Sequence, residues 1–163
     1  GDEGGLAAAL LLGDGTALDR DEWDAYVRTG VVHVLAISGQ HLVVLAGFMR
    51  VLTASFVERW SGRLINIHPS LLPCFPGLEP QQQALDHGVK VSGVTVHLVT
   101  ADLDAGPIIV QRPVPVVEGD TAVTLAARIL EEEHRAYPEA VRIVLAGGWT
   151  IEGRRFLAPR TRG

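Results

Sequence analysis

Apolar positions along the chain change period several times, and each change marks a predicted element. Leu6 to Leu12 is a short apolar run that stops at the turn signal Gly13-Asp14-Gly15-Thr16. Trp23, Tyr26 and Val27 then recur at helical spacing behind Asp19, a predicted N-cap, with Asp21, Glu22 and Asp24 in the first turn and Gly30 as the stop. Val31 to Ile37 reads as a strand. Leu42 to Ala46 is a continuous apolar run, suited to a central parallel strand covered on both faces. Gly47 to Arg50 turns out of it, a short helix over 53–60 carries Phe56, Val57 and Trp60 on one side, and Leu64 to Ile67 forms the next strand. Strand, short helix and strand at this spacing indicate α/β packing, with ligands bound off the carboxyl ends of the strands. Met49, Arg50 and the stretch Asn66–His68 sit at such ends.

Beyond a proline-rich loop, Gln81–Asp86 predicts a helix that stops at His87-Gly88. Ser92 to Val99 alternates as a strand, with Val94, Val96 and Leu98 facing one way. Ile108 to Val117 follows as a strand or hairpin arm, and Pro113 and Pro115 mark it as an edge. Asp120 is the predicted cap of a helix running through Leu125, Ile129 and Leu130 to His134. Pro138 predicts a kink or restart before Val141–Leu145, Gly147-Gly148 a stop, and Thr150–Leu157 one last short strand. Ala158 to Gly163 is a polar tail.

At 163 residues the chain has the size of one domain with a real core. A net charge of −5 and the lack of any Lys or Arg run argue against a nucleic-acid partner. The single cysteine, Cys74, excludes an internal disulfide and a cysteine-based zinc cluster, so the reducing cytoplasm is the expected location. No signal-peptide pattern opens the sequence. Val31 to Met49 has no formally charged residue, and its length alone would suit a membrane span. However, His33, Ser38, Gly39, Gln40 and His41 interrupt it, and two buried strands are the preferred reading.

The chemistry concentrates in Asn66-Ile67-His68-Pro69-Ser70-Leu71-Leu72-Pro73 and in Asp102-Leu103-Asp104-Ala105-Gly106-Pro107. A strand ending here delivers an amide and an imidazole, two residues apart, to one face. Pro69 and Pro73 make the exit a defined loop. Asn66 and His68 can donate to one oxygen, and Asp104 can hold His68 protonated. His87 and His97 lie on other elements without metal-ligand spacing, so no metal is expected. No G-x-S-x-G occurs, and Ser70 reads as a turn hydroxyl. Two readings stay open on residue types alone. Asn66, His68 and Asp104 act together at a carbonyl, or His68 caps the loop while Asp102 and Asp104 form an Asx-type turn before Gly106.

Two resemblances extend this reading. Residues 9–14, 18–19, 23–25 and 29–30, with His33-Val34-Leu35-Ala36-Ile37-Ser38-Gly39-Gln40-His41, resemble the competence (DNA-uptake) channel family over the first quarter of the chain. Nothing downstream fits a multi-span channel. From about 42 to 157 the chain resembles phosphoribosylglycinamide formyltransferase. That likeness rests on Leu45–Leu52, Asn66–Pro73, Gln83-Ala84-Leu85, Gly93-Val94-Thr95-Val96-His97, Asp102–Ile109 and Glu133-His134-x-x-Tyr137-Pro138.

The second resemblance implies formyl transfer from 10-formyltetrahydrofolate to the amine of glycinamide ribonucleotide, in purine synthesis. It places the proton donor at His68, the formyl-oxygen ligand at Asn66 and the partner carboxylate at Asp104. It assigns Met49, Arg50, Val51, Leu52, Thr100, Ala101, Asp102, Leu103 and Asp104 to the folate pocket, and Leu130, Glu131, Glu132 and Glu133 to the acceptor substrate. The expected partners are small molecules, with no nucleic acid and no metal. The expected fold is α/β, a truncated, formyltransferase-type doubly wound, mostly parallel sheet with an atypical segment over 1–41 and the catalytic unit over 42–163. The family's Gly-rich phosphate loop is missing or replaced. Gly77-Leu78-Glu79-Pro80-Gln81-Gln82 also departs from the family's His-rich, basic loop. A fusion of two coding segments near Leu42–Phe48 is the simplest account. The alternatives are a deformylase, whose family usually has "H-H-S-F-L-P" in place of His68–Pro73, and a non-catalytic or membrane-associated fragment.

Overall fold

The computed structural model describes residues 31–37, 40–46 and 52–159. Among these, seven strands make one open sheet in the order β1-β2-β3-β4-β5-β7-β6. They are β1 (Val31–Ile37), β2 (Gln40–Ala46), β3 (Leu64–His68), β4 (Val91–Leu98), β5 (Ile108–Pro115), β6 (Thr150–Glu152) and β7 (Arg155–Leu157). Helices α1 (Ala54–Arg59), α2 (Pro80–Asp86) and α3 (Ala122–Ala146) complete the layers. The expected helix over 19–30, the turn at Gly13–Thr16 and residues Met49, Arg50 and Val51 lie outside the described residues.

The open α/β sheet flanked by helices is the expected architecture. Its described ladder is mixed. β2 runs parallel to β3 through the α1 crossover, and β5 parallel to β7, while β1–β2, β3–β4, β4–β5 and β6–β7 are antiparallel. β4 returns to β5 through the short loop 99–107, which suits antiparallel pairing, whereas a parallel neighbour needs a long crossover.

Strand alternation sorts the core into two clusters on opposite faces. Leu42, Val44, Ile65, Ile67, Val94, Val96 and Leu98 pack with Leu125, Ile129, Ala136, Ala140 and Val144 of α3. Val43, Leu45 and Leu64 instead meet Phe56 and Val57 of α1, with Leu52, Trp60 and Val99 packed against them. Adjacent residues such as Leu64 and Ile65 thus serve different cores, the period-two pattern of a strand buried on both faces.

Three sequence expectations change. The N-cap of α3 is Thr121, which accepts from the Thr124 N–H in a reciprocal capping box. Asp120, the predicted cap, sits one position too early to reach that N–H; it accepts from Val117 N–H at 2.8 Å and from both Arg128 terminal nitrogens at 2.9 Å. Helix α3 runs unbroken through Pro138. Losing one backbone bond there costs roughly 3 kcal/mol, and buried Ala136, Ala140 and Val144 on the same sheet-facing side offset it. The predicted last strand is a hairpin, because Gly153 at φ +60° turns the chain between β6 and β7. The strand predicted over Ile108–Val117 does behave as an edge along most of its length, since only Ile108 pairs with β7.

Candidate active site

The site stands on the α1 side of the sheet, at the carboxyl end of β3. Asn66 and His68 point to that face, two residues apart. Cross-strand register places His97 opposite Asn66 and Thr95 opposite His68, so four polar side chains form a block continuing from the apolar patch of Leu45, Leu64 and Val99. His68, Thr95 and His97 are buried. Such groups need partners, because an unpaired buried polar atom costs about 1–3 kcal/mol.

Asp104 supplies the central one. Its Oδ2 lies 3.5 Å from Nδ1 of His68 and its Oδ1 3.8 Å from Nε2 of His97. The Gly77 N–H donates to Oδ2 at 2.9 Å. The backbone at Asp104 is left-handed, φ +48°, a conformation that Asp and Asn tolerate better than most residues. Two residues on, Gly106 lets the loop press against β4. A Cβ there would stand 1.7 Å from the Leu98 carbonyl oxygen. The loop is also tied by the Leu98 N–H, which donates to Pro107 O at 2.9 Å.

On His68, Nε2 faces the Phe75 carbonyl at 2.8 Å and therefore carries a proton. Nδ1 is held beside the carboxylate at a separation longer than a good hydrogen bond. His97 differs. Burial pushes its imidazolium down, opposed by the Leu98 carbonyl on Nδ1 and by the Asp104 charge. At 3.8 Å the carboxylate does not overcome that burial, and Nε2 of His97 has no hydrogen-bond partner. Asn66 Oδ1 is likewise buried without one.

The loop after His68 is lashed to the sheet. Thr95 Oγ1 donates to Ser70 O at 2.7 Å and accepts from Leu72 N–H and Gln111 Nε2, both at 3.0 Å. Gln111 also donates to Leu72 O at 2.8 Å, and Ser70 Oγ to Cys74 O at 2.5 Å. This loop delivers Phe75 O to His68 and Gly77 N–H to Asp104.

The remaining predicted residues divide. Leu52 packs on the apolar patch, and Leu103 is exposed at 70%. Thr100 and Asp102 line a cleft of about 330 Å³ with Ser61, Gly62, Ile151 and Arg154, a cleft that does not include Asn66 or His68. On α3, Leu130 is exposed and Glu131 points to solvent. Glu132 turns away to pair with Arg112 and Arg135. Glu133 instead is partly buried beside Tyr137. Its carboxyl is raised by burial, and it adds to the raised pKa of buried Tyr137. Tyr137 donates its O–H to the Leu45 carbonyl of β2, and Leu45 is the residue registered with Asn66.

His97, Thr95, Phe75 O and Gly77 N–H are the members that the linear reading missed. For the two side chains the signal was the β3–β4 register; for the two backbone groups there was none. Among the described residues no group of three or more His, Cys, Asp or Glu side chains is placed to hold a metal, and no helix is long and apolar enough to cross a membrane.

The formyl transferase family matches residues 24–141. This chain belongs to that family. The match begins upstream of the boundary expected at residue 42. Phosphoribosylglycinamide formyltransferase of Escherichia coli (strain K12) is 44% identical over 134 residues, covering 82% of this chain and 60% of that protein. The solved glycinamide ribonucleotide transformylase 1 of Symbiobacterium toebii superposes with a TM-score of 0.70 at 59% identity, covering 72% of this chain and 55% of that one. A formyltetrahydrofolate deformylase of Pseudomonas syringae pv. tomato superposes with a TM-score of 0.68 at 34% identity, covering 72% of this chain and 39% of that one. The chain therefore spans 60% of the Escherichia coli protein's length, 55% of the transformylase and 39% of the deformylase.

Proposed function

We propose that this chain carries the catalytic side of a cytoplasmic formyl transfer from 10-formyltetrahydrofolate to the amine of glycinamide ribonucleotide. The observation that carries this reading is the Asp104–His68 pair beside an Asn66 amide whose oxygen is buried and unpartnered. Attack of the amine nitrogen on the formyl carbon develops an oxyanion, and the Asn66 amide N–H and the His68 ring N–H are its donors. The orphaned Asn66 Oδ1 is then available to accept from the incoming amine. As the carbon–nitrogen bond to the folate breaks, the folate nitrogen gains the proton that the amine loses, so no net proton is consumed.

Leu52, packed against the buried cluster of Leu45, Val57 and Leu64, is a proposed contact to the folate. Met49, Arg50, Val51 and the loop Thr100–Asp104, including Ala101 and Leu103, are the other proposed folate contacts. Glu133 is the proposed contact to the acceptor, with Leu130, Glu131 and Glu132 as its outer neighbours. Residues 42–163 form the proposed catalytic unit and 1–41 an atypical segment. Sequencing genomic DNA across codons 40–50 tests that junction.

A formyl-transfer assay on wild type beside His68→Ala and Asp104→Asn tests the activity. Measurable turnover lost in both variants supports it. Turnover unchanged in either one sinks the role given to that residue, and hydrolysis of the folate without transfer would assign a deformylase instead.

A further inference from the structure

The loop between β3 and α2 is held in an unfavourable shape. Phe75 and Glu79 have left-handed φ values of 54° and 52°, with Gly77 at 79° between them. Non-glycine residues there cost about 1–3 kcal/mol each and persist only where surrounding contacts over-determine them. One side chain makes such contacts on both sides of Gly77. Gln83 of α2 donates through Nε2 to Pro76 O at 3.0 Å and to Leu78 O at 2.8 Å. Both acceptors are carbonyls, which fixes the orientation of the amide.

Pro76 O and Gly77 N–H belong to the same peptide group. Gln83 therefore grips the carbonyl end of the peptide whose N–H end donates to Asp104 Oδ2 at 2.9 Å. The planarity of that peptide makes the two bonds one device, since rotating the carbonyl away from Gln83 rotates the N–H away from Asp104. A donor on the carbonyl also polarises the peptide and strengthens its N–H as a donor. The chain of contacts ends at Nδ1 of His68, 3.5 Å beyond the carboxylate.

We propose that Gln83 is a positioning residue that aims the Pro76–Gly77 peptide at Asp104 and so keeps Asp104 in register with His68. Its kinetic consequence rests on the formyl-transfer reading above; its structural consequence does not. Gln83→Met keeps length and helix propensity and removes the donor, whereas Gln83→Lys keeps a donor of similar reach.

The test records the Gly77 amide proton and the His68 ring nitrogens by NMR in the full chain, with thermal melts alongside. In Gln83→Met the Gly77 amide moves upfield and exchanges faster, and the His68 ring nitrogens shift; Gln83→Lys restores both toward wild type. With an active wild type, kcat falls about 10-fold or more in Gln83→Met while KM for either substrate stays within about twofold. Unchanged Gly77 and His68 signals in Gln83→Met overturn the proposal, as does a Lys variant indistinguishable from Met. Should Gln83→Met fail to fold, Gln83→Glu takes its place and is read by the same signals. A wild type without formyl transfer would sink the activity while the NMR comparison still decides the role of Gln83.

Discussion

Asp104 and His68 lie 36 residues apart in sequence, yet the carboxylate Oδ2 of one stands 3.5 Å from Nδ1 of the other. Neither residue is held by its own element alone. His68 ends a central strand, while Asp104 is carried back over the sheet by a loop that Gly106 lets approach β4 and that Gly77 N–H anchors.

The charge on Asp104 can be removed without disturbing its backbone. Asn tolerates the left-handed φ found there, so Asp104→Asn is expected to fold with a near-native melting temperature. Formyl transfer should fall about 100-fold or more, the scale of losing a positioned acid–base partner. Steady-state kinetics beside a thermal melt checks both parts. Asp104→Ala is the poorer variant, because it adds backbone strain to the loss of charge.

Gly106→Ala tests the loop from the opposite side. The new Cβ would collide with the Leu98 carbonyl, so the loop must lift and carry Asp104 with it. A destabilisation of about 1–3 kcal/mol, the scale of overpacking, should accompany a loss of transfer in urea melts and assays. Wild-type activity in this variant would show that the position of Asp104 is not critical.

Thr95→Val keeps the branched shape and deletes a hydroxyl serving three partners. Leu72 N–H and Ser70 O would lose their bonds in a buried setting, each at about 1–3 kcal/mol. Stability measured by chemical denaturation should drop accordingly. The His68 environment should change with it, because the Ser70–Leu72 turn begins the loop that delivers Phe75 O.

Glu133 predicts a pH dependence of stability. Burial raises its carboxyl above the ordinary 4.5, with His134 opposing weakly. Between that ordinary value and the raised one, the folded chain binds more protons than the unfolded chain, so this residue makes stability fall as pH rises through the window. Glu133→Gln should abolish that fall and leave the variant more stable than wild type at neutral pH. The difference in melting temperature between the two proteins, followed from pH 4.5 upward, checks the sign. A variant less stable than wild type at pH 7 contradicts it.

Much of this protein is written locally. The run Leu42–Ala46, the Leu64–Ile67 strand leading into two prolines, and the Leu125–Ile129 face announce their elements because apolar period and proline chemistry act over a few residues. Asn66 and His68 share a face for the same reason, since strand geometry alone sets the alternation. Family motifs in the sequence further identify the formyl transferase assignment.

What local pattern leaves open is decided by contacts across long sequence separations. The position of Asp104 beside His68 depends on how closely one backbone approaches another at Gly106, a distance no motif states. His97 and Thr95 join the site only through the β3–β4 register, and Gly77 only through an N–H that every residue but proline possesses. The continuity of α3 through Pro138 follows from burial against the sheet, which outweighs local propensity. The sequence by itself determined most of the described strands and helices and the residue types at Asn66 and His68. The tertiary structure decided which groups surround them, because hydrogen bonds and burial are settled by neighbours in space.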